Sequence, residues 1–162
     1  MAIEKNSFGK MPDGTEGYKE TLTNKNGVSA SFITLGGVWV SMVVPDKDGS
    51  MADVVLGYDD LDSYRRNPAH FGAPIGRNAN RIGGAVISID GKDYKLEANT
   101  GPNNLHSGPA LSHDRVWDCA ALETEAGSRL DFYLESPDGD QGYPGNARIT
   151  VSYTLTDEDS LV

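Results

Sequence analysis

Helical periodicity never persists in this chain for as long as roughly ten residues, whereas runs that alternate inward and outward side chains recur between Gly, Asn and Asp. Such runs bury an apolar face only by pairing into sheets and stacking the sheets. Residues 18–23 and 28–34 alternate around Asn24-Lys25-Asn26-Gly27, whose closing Asn-Gly accepts the positive φ angles of a tight hairpin turn. Gly36 and Gly37 then interrupt before Val38-Trp39-Val40-Ser41-Met42-Val43-Val44, an apolar, β-branched run that reads as a buried strand ended by Pro45. Asp46-Lys47-Asp48-Gly49 makes a second tight connection, and residues 53–56 are expected to continue as a strand.

Residues 61–66 are the one segment with a helical character, which Pro68 limits to a turn or two. Residues 85–90 and 93–97 flank Gly91-Lys92 as a third hairpin, and residues 99–109 form a long loop without alternation. Residues 117–122 and 129–134 repeat the strand-turn-strand plan around Glu125-Ala126-Gly127-Ser128, and residues 147–155 alternate most clearly of all. The expected fold class is all-β, an antiparallel β-sandwich whose topology periodicity leaves open.

A chain of 162 residues fits one domain and buries a real core, roughly two-thirds of its unfolded surface. Its formal charge of −10 and pI near 4.6 repel phosphate backbones and anionic lipid, so neither nucleic acid nor a membrane surface is an expected partner. No apolar run approaches the 18 or so residues of a membrane span, and Met1-Ala2-Ile3-Glu4-Lys5-Asn6 lacks the apolar centre of a signal peptide, so the expected location is cytoplasmic. The lone Cys119 has no internal disulfide partner and, in an apolar run, is expected to be a buried thiol.

Polar chemistry concentrates in Gly76-Arg77-Asn78-Ala79-Asn80-Arg81-Ile82 and in Asn103-Asn104-Leu105-His106-Ser107-Gly108. Arg77 and Arg81, four apart, point together in either extended or helical backbone; they either pair with some of the 24 acidic residues or present guanidinium forks to hydroxyls or a carboxylate. His106 either sits idle in its loop or brings a neutral imidazole to a ligand. His70 is expected to cap a local turn, and His113 to be a solvated loop residue. His106, His113, Asp114 and Asp118 have no standard metal spacing, and Asp138-Gly139-Asp140-Gln141-Gly142 lacks the offsets of a calcium loop and reads as a turn. No metal and no cofactor is expected, and no nucleotide-binding or serine-hydrolase motif is present.

Those two stretches, with Asp90-Gly91-Lys92-Asp93-Tyr94-Lys95-Leu96, Trp117, Ser136-Pro137-Asp138-Gly139-Asp140-Gln141-Gly142-Tyr143-Pro144-Gly145 and Tyr153-Thr154-Leu155-Thr156, resemble the aldose 1-epimerase (galactose mutarotase) family in the family's own order, from about residue 18 onward. The resemblance implies a mutarotase-like antiparallel supersandwich that binds a free hexose in an open cleft and interconverts its α and β anomers without a cofactor. It further implies that a glutamate takes the anomeric hydroxyl proton while a histidine protonates the ring oxygen. Carried onto this chain, it makes Asn80, Arg81 and His106 substrate-binding and Arg77 structural.

The sequence departs from the family in one large respect. The acid histidine belongs to a later Asn-His-Ser-Tyr-Phe-type motif and the base glutamate to the end of a much longer chain, and neither is found in residues 1–162. The expectation is therefore the N-terminal portion of a single mutarotase-like domain, apparently truncated, inactive alone, and prone to self-association through exposed sheet edges. Ser107, where the family usually has Gly, is expected to be tolerated. A non-catalytic carbohydrate-binding module is the alternative reading.

Overall fold

The computed structural model describes residues 2–109 and 114–162. The first sheet has five strands in chain order, each antiparallel to its neighbour: β1 (Ala2–Lys10), β2 (Glu16–Thr23), β3 (Ser29–Ile33), β4 (Val38–Pro45) and β5 (Met51–Asp53). A short α-helix, α1 (Leu61–Arg66), follows. Two small ladders come next, β6 (Arg81–Ile82) pairing with β9 (Asn104–Leu105), and β7 (Val86–Ile89) pairing with β8 (Lys92–Lys95). A second sheet, β10 (Asp118–Thr124), β11 (Gly127–Ser136) and β12 (Ala147–Thr156), closes the described chain.

Turn chemistry explains the hairpins. Asn24 Oδ1 accepts the N–H groups of Asn26 and Val28, and Gly27 takes φ 83°, so the β2–β3 turn is set by its own residues. Asp46 repeats the device, accepting from the Asp48 and Ser50 N–H groups at 2.8 and 2.9 Å.

The two sheets stack through Leu22, Ala30, Phe32 and Met42 on one side and Leu130, Phe132, Leu134 and Leu155 on the other, with Trp117 between them. Phe32 also stacks on Tyr153, ring centroids 4.2 Å apart. Each buried phenyl ring contributes about 2–3 kcal/mol of transfer free energy. Ile33, Leu35, Val38 and Val40 form a second cluster, on the opposite face of the first sheet, which α1 covers with Leu61 and Tyr64. β4 feeds both clusters because its register slips between Ser31↔Ser41 and Phe32↔Trp39. Val40 is the extra residue, and Met42 is thereby turned to the other face from Val38.

α1 starts where Asp60 accepts the Ser63 N–H at 2.8 Å. It ends at Asn67, as the proline ahead requires.

The strand expected at 53–56 instead occupies Met51–Asp53. Asp53 Oδ1 accepts the N–H groups of Met42 and Val55, which bends the chain away and leaves Val54 and Leu56 64% and 75% exposed. β1 carried no alternation signal, because an edge strand bearing Glu4, Lys5 and Asn6 lies mostly in water. Cys119 is half-buried, and burial pushes its thiol up to about 12. Among the described residues no helix is long and apolar enough to cross a membrane.

Candidate functional site

The β6–β9 ladder is only two residues long, yet it sets Arg81 opposite Leu105 and Ile82 opposite Asn104. Beyond it, the His106 N–H donates to the Asn80 carbonyl at 3.0 Å, and the Asn80 N–H donates to His106 Nδ1 at 3.1 Å. A neutral imidazole accepting at Nδ1 carries its proton on Nε2, so His106 presents a donor. Asn80 and His106 both lie in the left-handed region, at φ 62° and 53°, a conformation both residue types enter more readily than most and which the reciprocal bonds support. Arg81 is exposed and donates from Nη1 to Asn80 Oδ1 at 3.3 Å; among the described residues it forms no ion pair. The three residues picked from sequence thus meet at one corner.

Arg77 serves the scaffold. Its Nε donates to Ser136 Oγ at 3.0 Å, Nη1 to the Pro144 carbonyl at 2.9 Å, and Nη2 to the carbonyls of Ser136, Pro137 and Gly145 at 2.8, 3.2 and 2.9 Å. Those five bonds pin the β11–β12 connection to Arg77, and no carboxylate is among their acceptors. Ser136 Oγ passes the network to Asp140, which takes a two-pronged bond from Arg115 at 2.6 and 2.8 Å. Arg115 holds the Asp140 carboxyl below its usual range.

Asparagines stand in for missing backbone partners in the long loop. Asn99 exchanges bonds with the Leu105 peptide, fully buried Asn104 donates to the Glu97 carbonyl at 2.7 Å, and Asn103 accepts the Gly84 N–H at 3.0 Å. Ser107 staples the two stretches together, its hydroxyl donating to the Asn78 carbonyl at 2.9 Å and accepting the Asn78 N–H at 2.7 Å. A glycine there would supply neither bond.

His70 is the residue that sequence reasoning placed elsewhere. Its N–H does bond the Asn67 carbonyl as a turn residue would, at 2.9 Å, but its ring meets that of His106 edge to face, centroids 5.5 Å apart. Nothing in the intervening sequence signals that approach. Burial first, then His70 and Arg81, lower the His106 pKa below its usual 6.5, which keeps the ring neutral near pH 7. Every group at the corner therefore has N–H donors to offer, an arrangement suited to a neutral ligand rich in oxygen. Among the described residues no group of three or more His, Cys, Asp or Glu could hold a metal; His113 lies outside them. The nearby pocket lined by Gly76, Arg77, Ser107, Arg115 and Tyr143 includes none of the three corner residues, of which Asn80 and Arg81 are exposed and His106 is half-buried.

The aldose 1-epimerase family profile matches residues 18–162. The chain is 34% identical over 162 residues to the galactose mutarotase of Bos taurus and 38% identical over 160 residues to the aldose 1-epimerase of Haemophilus influenzae. The alignments take in 100% and 98% of this chain but 46% and 45% of those relatives, so the chain spans about half the length of the curated relatives it matches. Its fold superposes on the galactose 1-epimerase of Lactobacillus acidophilus with a TM-score of 0.84, covering 99% of this chain and 47% of that one at 24% identity, a likeness of architecture alone. With fold and sequence in agreement along the whole chain, it belongs to the aldose 1-epimerase family.

Proposed function

We propose that Asn80, Arg81 and His106 bind a free hexose such as galactose or glucose, and that the chain contributes the sugar-binding part of α/β anomer interconversion. The observation behind this reading is a pair of donors, the exposed Arg81 guanidinium, which among the described residues forms no ion pair and makes one long bond to Asn80, and the Nε2–H that His106 carries while Nδ1 accepts, in a protein of net charge −10. A surface arginine that meets no carboxylate among the described residues, in a chain with 24 acidic residues, is better placed for hydroxyls than for an ion pair.

Opening a sugar ring requires a base for the anomeric proton and an acid for the ring oxygen. The charged neighbours that act on His106 are His70 and Arg81, neither a carboxylate. The proton-transfer pair is accordingly assigned to the part of the family's length that residues 1–162 do not span, with these residues forming the N-terminal portion of one mutarotase-like domain. A reducing, cytoplasmic setting accords with the acidic surface and the single inert thiol.

Titration calorimetry with galactose and glucose tests the site. Binding should weaken about tenfold or more in Arg81→Ala and in His106→Ala, a loss near 1.4 kcal/mol; affinity untouched by either change refutes the corner. Polarimetry tests the rest, since a substantial mutarotation rate from these 162 residues alone would overturn the assignment of the catalytic pair.

A further inference from the structure

We infer that His70 is a positioning residue for His106, bracing its imidazole so that Nε2–H keeps one direction toward the ligand. The inference rests on the reading of His106 as a sugar-binding donor.

One 3.1 Å bond, from the Asn80 N–H to Nδ1, holds the half-buried His106 ring at the end of a two-residue ladder. One bond to one ring nitrogen leaves the plane of the ring free to swing about it. The His70 ring supplies a second point of support, meeting it at 5.5 Å with planes 75° apart, the edge-to-face geometry aromatic rings favour.

His70 is itself carried by different elements. Its N–H bonds the Asn67 carbonyl, and its carbonyl accepts the Ala73 N–H at 3.2 Å. Asn67, 1% exposed, locks both polar groups of its side chain onto the Phe71 peptide and bonds back to Ser63 in α1. Gly72 accepts the Trp39 N–H of β4 at 3.0 Å, and a Cβ at Gly72 would lie 1.9 Å from the Trp39 carbonyl oxygen. The brace is thus anchored to the main sheet, whereas His106 hangs on β6 and β9.

Position 70 adopts φ 54°, where glycine or asparagine is the inexpensive choice for a turn. A histidine there accepts backbone strain that a turn alone does not need, and what it adds is the ring. The same contact sets a second imidazole beside His106, and burial first, then His70 and Arg81, make the His106 ring harder to protonate.

The test uses His70→Ala and His70→Phe. Long-range nitrogen–proton NMR of the sugar-free protein reads the His106 tautomer and titration. The wild type should show the Nε2–H form; His70→Ala should mix the tautomers and move the His106 midpoint upward. Hexose affinity should fall roughly fivefold in His70→Ala, the size of one aromatic contact, and return to within about twofold in His70→Phe. Thermal melts confirm that both variants fold. An unchanged tautomer and midpoint in His70→Ala would overturn the brace, as would a His70→Phe variant as weak as His70→Ala. If the wild type binds no hexose, the functional reading fails, while the sugar-free spectra still decide whether His70 holds His106.

Discussion

A proton added to His106 at Nδ1 would point at the Asn80 N–H, so charging the ring breaks the bond that sets the corner. Because the folded pKa is lowered from 6.5, the unfolded chain binds more protons between the two values, and stability rises with pH across that window. The contribution is fully present above about 6.5 and is lost as pH falls through the folded value. Thermal melts from pH 7.5 down to 5 should therefore decline more steeply for the wild type than for His106→Gln, and hexose affinity should fall over the same range. Parallel slopes would refute the linkage. Asp131 and Asp140, whose pKa values are lowered from 3.8, act below this window.

Elements separate what local signals announce from what they miss. The β2–β3 and β7–β8 hairpins and α1 stand where alternation, Asn-Gly, Gly91 and Pro68 put them, because each depends on residues within a few positions of the turn. β5 ends early because the Asp53 side chain reaches back to β4, a contact that periodicity does not encode. Arg77 shows the same limit: its neighbours advertise a polar site, but its acceptors lie in the distant β11–β12 connection. Arg77→Lys keeps the charge yet cannot reach five acceptors in a fork. It should lower unfolding free energy by about 2–3 kcal/mol in urea melts, and a loss under about 0.5 kcal/mol would show that the connection does not depend on it.

At the scale of the whole molecule, both sheets have open sides. β1 and β5 bound the first, and β10 and β12 the second; the returning Ser160–Val162 backbone covers residues 154–156 of β12. Leu56, Val54 and Leu122 add exposed apolar surface, while a charge of −10 keeps copies apart. Screening that charge should promote association, so sedimentation velocity is expected to show growing oligomers between about 0.05 and 0.5 M salt. A monomer at every ionic strength would refute it.

Alternation and turn residues sufficed to specify an all-β sandwich, and the two polar stretches already contained Asn80, Arg81 and His106. Those properties are local, carried by neighbours along the chain. The His106 Nδ1 bond, the commitment of Arg77 to four backbone carbonyls and the Ser136 hydroxyl, the Ser107 staple and the His70–His106 contact arise only when loops from separate elements are packed together. Distances across such loops depend on the whole core, so no short run of residues contains them.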